Sequence, residues 1–300
     1  MFADLAIIIV NWNLKEDTLG CIASLVKSGA SLNQIVVVDN GSTDGSAIAL
    51  RESFGGISSI IELKENLGYA GGVNRGIHFA LRGDSQWLLL INNDTVVAPD
   101  FIEQLQVTSR ANPGYSIFSP MILYHDHPST VWSMGDKQIG HTLLSKPLYK
   151  DNNCQRSFPA IIPIDFANGC AMMVNRQVFD EIGFLDETLF MYGEEVDFCW
   201  CARLAGFSLA CVPSARMWHK ISKSSENDKP GVQYRKIKNQ ILFYRRYARG
   251  AQQWPYFAYT SIRCLALFII DIVKRRIDLL SPTLRGWSDG WTNSLPKVFR

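Results

Sequence analysis

Three short runs constrain the fold more than anything else in the chain: LAIIIV at 5–10, IVVV at 35–38 and WLLLI at 87–91. Each is unbroken and apolar, and the first two are rich in β-branched residues. A strand with one wet face alternates polar and apolar residues. Unbroken runs belong to strands covered on both sides, as in parallel sheets. A weaker run, ISSIIEL, occupies 57–63. Helical spacing fills the gaps. Leu19, Ile22, Leu25 and Val26 share a face, Ser42, Thr43 or Asp44 offers an N-cap for the next helix, and AGGVNRGIHFAL gives a third. The alternation predicts an open α/β sheet, Rossmann-like and mostly parallel, flanked by helices.

Sheets of this kind bind ligands beyond the carboxyl ends of their strands. Here those ends read Asn11-Trp12-Asn13, Asp39-Asn40-Gly41-Ser42, Asn66-Leu67-Gly68 and Asn92-Asn93-Asp94. Asn, Asp and Gly form turns anywhere, but four in succession put polar groups along one edge. The Asp39 carboxylate can accept paired donors from a base or ribose. Residues 66–76 combine glycines, a helix start and Arg75, which together suit a diphosphate. Asn92 and Asp94 can turn oxygens toward a hard cation, Mg2+ or Mn2+. Alternatively, Asp94 or Thr95 caps the helix expected near Pro99. No GxGxxG follows the first strand and no GxxxxGK[ST] occurs, which argues against a dinucleotide oxidoreductase and a P-loop enzyme.

Past residue 100 the pattern is mixed. Short strands (YSIFSP, CAMMVN, FSLACVP) interleave with helices at 99–110, 176–182 and 194–205, and 222–231 reads as a polar loop. Charge divides the chain. Residues 1–215 carry 13 Lys and Arg against 23 Asp and Glu, a net −10, and residues 216–300 carry 17 against 5, a net +12. An acidic body pairs with a cation and a basic tail with an anionic surface. The seven cysteines have no CxxC or zinc spacing, and MFADLAIIIVNWN lacks the basic start of a secretory signal. Reduced thiols and a cytoplasmic setting are expected.

The motifs VVVDNGSTDGS, NLGYAGGVNRG, NNDT, GCAMMVNR, FLDETLFMYGEEVDFCWCARLAG and VPSARMWHKISKS occur in that order. Together they resemble a family 2 glycosyltransferase of the rhamnosyltransferase-like branch, over roughly residues 5–245. The resemblance implies a GT-A fold, a nucleotide-diphosphate sugar donor, a divalent cation and inversion at the anomeric carbon. The expected division is a nucleotide-sugar-binding half at 1–98, an acceptor-binding and catalytic half of the same domain at 99–225, and a basic amphipathic helical tail at 226–300. By position, Asp39 would hold the nucleobase with Val10 and Asn11 beside it. Asn66, Gly68 and Arg75 would line the nucleotide and diphosphate site, with Asn93 also on the nucleotide side. Asn92 and Asp94 stand at the family's DxD metal motif, the first acid here being an amide, and His219 at a position that can add a ligand.

Glu195 falls where the family has its general base, so the resemblance makes it the acceptor of the hydroxyl proton. Apolar surroundings would raise its pKa toward working pH. Helical geometry puts Glu194 and Asp197 on one side and Glu195 on another, with Asp197 expected to orient Arg203 or the acceptor. The competing reading is an acid-decorated helix N-terminus favoured by the macrodipole. Asn92, and Cys201 at a position often Arg in this motif, motivate a second function class: a non-catalytic sugar-nucleotide or glycan-binding protein.

The last third ends in a basic helix, VQYRKIKNQILFYRRYARG, and an amphipathic one, SIRCLALFIIDIVKRRIDLL. Thr260, Arg263, Asp271, Lys274 and Asp278 form its polar stripe. The run CLALFII alone is far short of a bilayer span. The helix either packs on the body or lies in a membrane interface, with Lys274, Arg275 and Arg276 near lipid phosphates. The second is favoured and places the protein at the inner face of the plasma membrane. The acceptor is then lipid-linked or a polysaccharide, the leading donor dTDP-rhamnose, otherwise a UDP-sugar. Basic and aromatic residues together also suit single-stranded nucleic acid, but no recognition fold accompanies them, so no nucleic-acid partner is expected.

Overall fold

The computed structural model describes residues 4–221 and 228–295; most of the polar stretch expected at 222–231 lies outside them. The four runs form β1 (Leu5–Asn11), β2 (Ile35–Asp39), β3 (Ser59–Glu62) and β4 (Trp87–Asn92), parallel in the order β3-β2-β1-β4. Both faces of β1 are buried, by different helices. Leu5, Ile7 and Ile9 pack with Cys21, Ile22 and Leu25 of α1 (Lys15–Lys27) and Phe101 and Leu105 of α4 (Phe101–Ala111). Ala6 and Ile8 pack with Val73 and Ile77 of α3 (Gly68–Ala80). The two-residue period of a strand thus feeds two cores, which is why the sequence could not alternate.

Beyond β4 the sheet turns mixed. β11 (Ala171–Asn175) inserts antiparallel between β4 and β6 (Ile117–Tyr124), and β12 (Leu209–His219) then runs parallel to β6. The expectation of a mostly parallel sheet describes its first half. Helices cover β11 as fully as β1, so CAMMVN carries no trace of its direction. Two registers position the strand ends. Asn11 pairs with Asp39 and Val10 with Asn92, so three strands end level at one edge. The short β5 (Thr95–Val97) pairs antiparallel with the end of β12, setting His219 opposite Thr95.

The C-terminal region is α7 (Lys229–Tyr247), α8 (Gln253–Val273) and α9 (Leu280–Thr292). α9 packs closely on α7 because it presents glycine. A Cβ at Gly286 would lie 2.8 Å from the Tyr234 carbonyl oxygen, and one at Gly290 2.8 Å from Ile241 Cβ. α8 runs back along α7, through Tyr244–Tyr256, Gln240–Arg263 and Gln233–Asp271 contacts. It does so with its polar side. Thr260, Cys264 and Asp271 are buried, while Ile262, Leu265 and Val273 are 70%, 61% and 76% exposed. The stretch Gly250–Val273 contains an 18-residue window with a mean hydropathy of 1.6 and is long and apolar enough to cross a membrane by length and composition. The run CLALFII understated it, because the apolar residues on either side continue the same helix.

Candidate active site

The level strand ends open into a cavity of about 420 Å³, within the range of small-molecule sites. Val10, Asn66, Gly68, Asn92, Asn93, Asp94, Glu195 and His219, all expected from the sequence, line it. Gly68 has φ +75°, and a Cβ there would come within 2.4 Å of the Phe190 carbonyl oxygen, so only glycine lets the start of α3 meet the loop before Glu195.

Two distant segments converge at Asp94. The β5–β12 pairing brings His219 Nε2 to 3.1 Å from Asp94 Oδ1, both side chains under a tenth exposed. The N-cap alternative fails, because Asp94 sits in the turn between β4 and β5 and α4 begins only at Phe101. Trp132 covers the imidazole, ring centroids 4.8 Å apart. Asn92 Oδ1 is buried without a hydrogen-bond partner among the described residues. A carboxylate, an imidazole and an unclaimed amide oxygen fit a divalent cation. Among the described residues no three His, Cys, Asp or Glu side chains stand close enough together to hold a metal ion by themselves, so a cation here would complete its shell from ligand and water.

The acids belong to α6 (Glu194–Leu204), which starts after Gly193 at φ +96°. Their charge suits a helix N-terminus, yet they are not surface decoration. Glu194 is 4% exposed, and Glu195 lines the cavity with Oε2 accepting the Gly193 N–H at 3.1 Å. Burial raises the pKa of both. For Glu194 the neighbouring Glu195 charge adds to it, whereas backbone N–H groups partly offset the rise at Glu195. A Cβ on Gly169 would lie 3.2 Å from Glu195 Cβ, so that glycine makes room for the carboxylate.

Four expected site residues stand elsewhere. Asn11 is fully buried; its Oδ1 accepts from Thr18 and its Nδ2 donates to Ser42. Asn93 touches the cavity, but its amide donates to Asn11 and Thr18. Asp39 lies just off the wall with Oδ1 taken by the Ser42 N–H, and Asn40 lines the cavity in its place. Asn40 also fixes the next strand end, donating to Asn66 Oδ1 and the Gly68 carbonyl and accepting the Leu67 N–H. Arg75 points away and pairs with Glu187 at 2.8 Å. Asp197 faces neither cavity nor Arg203. It accepts from Arg246 and Tyr247, both at 2.7 Å, while Arg203 pairs with Asp165 and Gln138. The two acids of α6 sharing the cavity are Glu194 and Glu195, because α7 claims the third.

The sequence reading missed the part of the site built by α7. Asn239 Nδ2 lies 2.8–3.1 Å from the carbonyls of Leu189, Met191 and Tyr192, holding the loop before α6, in which Phe190 and Tyr192 adopt positive φ. One turn earlier, Lys236 lines the cavity beside Tyr192. The run Arg235-Lys236-Ile237-Lys238-Asn239 contained both, but a basic helix gives no sign of which residue faces inward.

Comparison with known proteins agrees with this geometry. The pattern of Glycosyl transferase family 2 matches residues 6–183. A low-salt glycan biosynthesis hexosyltransferase of Haloferax volcanii is 34% identical, over 100% of this chain and 95% of its own. An N-acetylglucosaminyl-diphospho-decaprenol L-rhamnosyltransferase of Mycobacterium tuberculosis is 27% identical, over 69% of this chain and 73% of its own. Among solved structures, a mannosyltransferase of Pyrobaculum calidifontis in complex with GDP-Man and Mn2+ superposes over 97% of this chain and 88% of its own, with TM-score 0.60 and 11% identity. With its strand-end cavity, mixed sheet and sequence kinship, the chain belongs to glycosyl transferase family 2 and has the GT-A fold.

Proposed function

We propose that this glycosyltransferase moves one hexosyl residue, with inversion, from a nucleotide-diphosphate sugar to a lipid-linked or polysaccharide glycan at the cytoplasmic face of a membrane. dTDP-rhamnose is the leading donor and a UDP-sugar the other. One observation carries the reading: the Asp94–His219 pair and the Glu195 carboxylate open on the same cavity. The rhamnosyltransferase among the relatives, which acts on a decaprenyl diphosphate, supports the sugar and the acceptor.

The acceptor hydroxyl would sit against Glu195. Its oxygen bonds to the anomeric carbon from the face opposite the diphosphate, the carbon–oxygen bond to the diphosphate breaks, and the hydroxyl proton passes to Glu195. Burial of that carboxylate makes it a better base than an exposed glutamate. Glu194 beside it is raised as well, by burial and by the Glu195 charge. Asn92, Asp94 and His219 would hold Mg2+ or Mn2+, whose charge would offset that gathering on the departing diphosphate. Val10, Asn40, Asn66 and Gly68 would form the nucleotide side.

The outward apolar face of α8 supports the membrane assignment. A helix that buries Thr260 and Asp271 and exposes Ile262, Leu265 and Ile269 suits a hydrocarbon boundary better than water. α8 lies along α7, which carries Lys236, Lys238, Arg245 and Arg246, and a helix so charged stays out of the bilayer core. α8 therefore lies in the interface instead of crossing. The non-catalytic alternative loses its motive at Cys201, whose sulfur is bonded to the Tyr247 hydroxyl, off the cavity wall.

The reading is tested with Glu195→Gln. Turnover should fall about 10²–10⁴-fold, the usual contribution of a general base, while nucleotide affinity with Mn2+ stays near wild type. A variant retaining more than a tenth of wild-type turnover rejects Glu195 as the base.

A further inference from the structure

The proposed donor brings negative charge to a cavity that already holds three acids, Asp94, Glu194 and Glu195. A cation from the chain is needed besides any metal. Arg75 is the residue the sequence offered, and it is spent on Glu187 outside the cavity. Other nearby cations are also engaged: Lys220 with Asp17, and Arg246 with Asp186 and Asp197. Among the described residues, Lys236 is the one lysine or arginine that lines the cavity, and it makes no ion pair among them.

Its placement is built, not incidental. Asn239, one turn further along α7, anchors the helix to three carbonyls of the loop that leads into Glu194. The Lys236 ammonium stands 4.6 Å from the Tyr192 ring centroid, a cation–π distance that directs the stem toward the cavity. Desolvation lowers its pKa, and the Glu195 carboxylate opposes that shift. An ammonium on a flexible stem is a point charge that can follow a phosphate oxygen.

We propose that Lys236 binds the diphosphate of the sugar donor, so that the C-terminal region is a wall of the active site as well as an anchor. The proposal rests on the donor-site reading above. The donor, not a lipid diphosphate on the acceptor, is the occupant assigned, because Asn66, Gly68, Asp94 and His219 line the same cavity.

The test is titration calorimetry of the full chain with Mn2+, using dTMP, dTDP, UMP and UDP, on wild type, Lys236→Gln and Lys236→Arg. The Gln variant should lose tenfold or more in nucleoside diphosphate affinity and nothing for the monophosphates, the Arg variant should keep most of it, and the melting temperature of the free protein should not move. Diphosphate affinity within twofold of wild type in the Gln variant overturns the assignment, as do equal losses for mono- and diphosphates. Unchanged diphosphate affinity with weakened binding of a lipid-diphosphate acceptor also overturns it, and moves the lysine to the acceptor side. If the wild type binds none of the four nucleotides, the donor-site reading falls first and the lysine's role with it.

Discussion

Removing the Arg246 guanidinium should cost this protein much of its stability. The side chain is 9% exposed and donates at 2.7 Å to Asp197, itself 6% exposed, and at 2.7 Å to Asp186, 13% exposed. Solvent screening is slight at such burial. Arg246→Met would keep the stem and take the guanidinium away from two enclosed carboxylates. Tyr247 would still donate to Asp197, and the Thr188 hydroxyl and N–H to Asp186. Breaking a buried pair by removing one partner costs about 3–5 kcal/mol. With a urea slope of about 3 kcal/mol/M for a chain this size, the midpoint falls by about 1–1.7 M. The pH dependence has a definite sign. Burial works against the Asp186 charge, but the Thr188 hydroxyl and the Arg246 guanidinium outweigh it and hold the pKa below the ordinary value. A depressed carboxylate contributes stability above its unfolded pKa and loses it as pH falls through the folded one. The gap between wild type and variant should thus be full at pH 7 and narrow below about pH 4. Urea melts at both pH values measure it. Asp186→Asn with Asp197→Asn should recover much of the loss in the Arg246→Met background, since no unpaired charge then remains. A loss under 1 kcal/mol at pH 7, or a gap that does not change with pH, would refute the buried-clamp argument.

The site and the tail each give a further expected outcome. Asp94→Ala should abolish the strengthening of nucleotide binding by Mn2+, and chelation should weaken wild-type binding to the level of that variant; identical affinities with and without Mn2+ in the wild type would exclude the metal role. Leu265→Glu with Ile269→Glu, on the exposed face of α8, should abolish sedimentation with anionic phospholipid vesicles and leave the melting temperature within about 2 °C, because exposed substitutions rarely exceed about 0.5 kcal/mol. Undiminished vesicle binding would remove α8 from the membrane reading.

Much of the architecture was determined by sequence alone. LAIIIV, IVVV and WLLLI could be nothing but strands buried on both faces, and the Asn and Asp at their ends had to emerge on one side, since parallel strands end together. Those facts, with the end of the weaker run at 57–63, placed Asn66, Asn92 and Asp94 at one edge without any tertiary information, and the family resemblance added Val10. Tertiary structure decided which charges face it. Helical periodicity groups Glu194 with Asp197, but α7 supplies Arg246 and Tyr247 to Asp197 and leaves Glu194 and Glu195 together. Arg75 and Lys236 are both basic residues on helices. Their fates differ because Glu187 lies beside one and an open cavity beside the other. The meeting of Asp94 with His219 depends on a pairing between a three-residue strand and one more than a hundred positions away. Periodicity reports the partner of a residue only when that partner is nearby in the chain. A charge takes its role from whatever the fold brings within a few ångströms, and local sequence does not encode that.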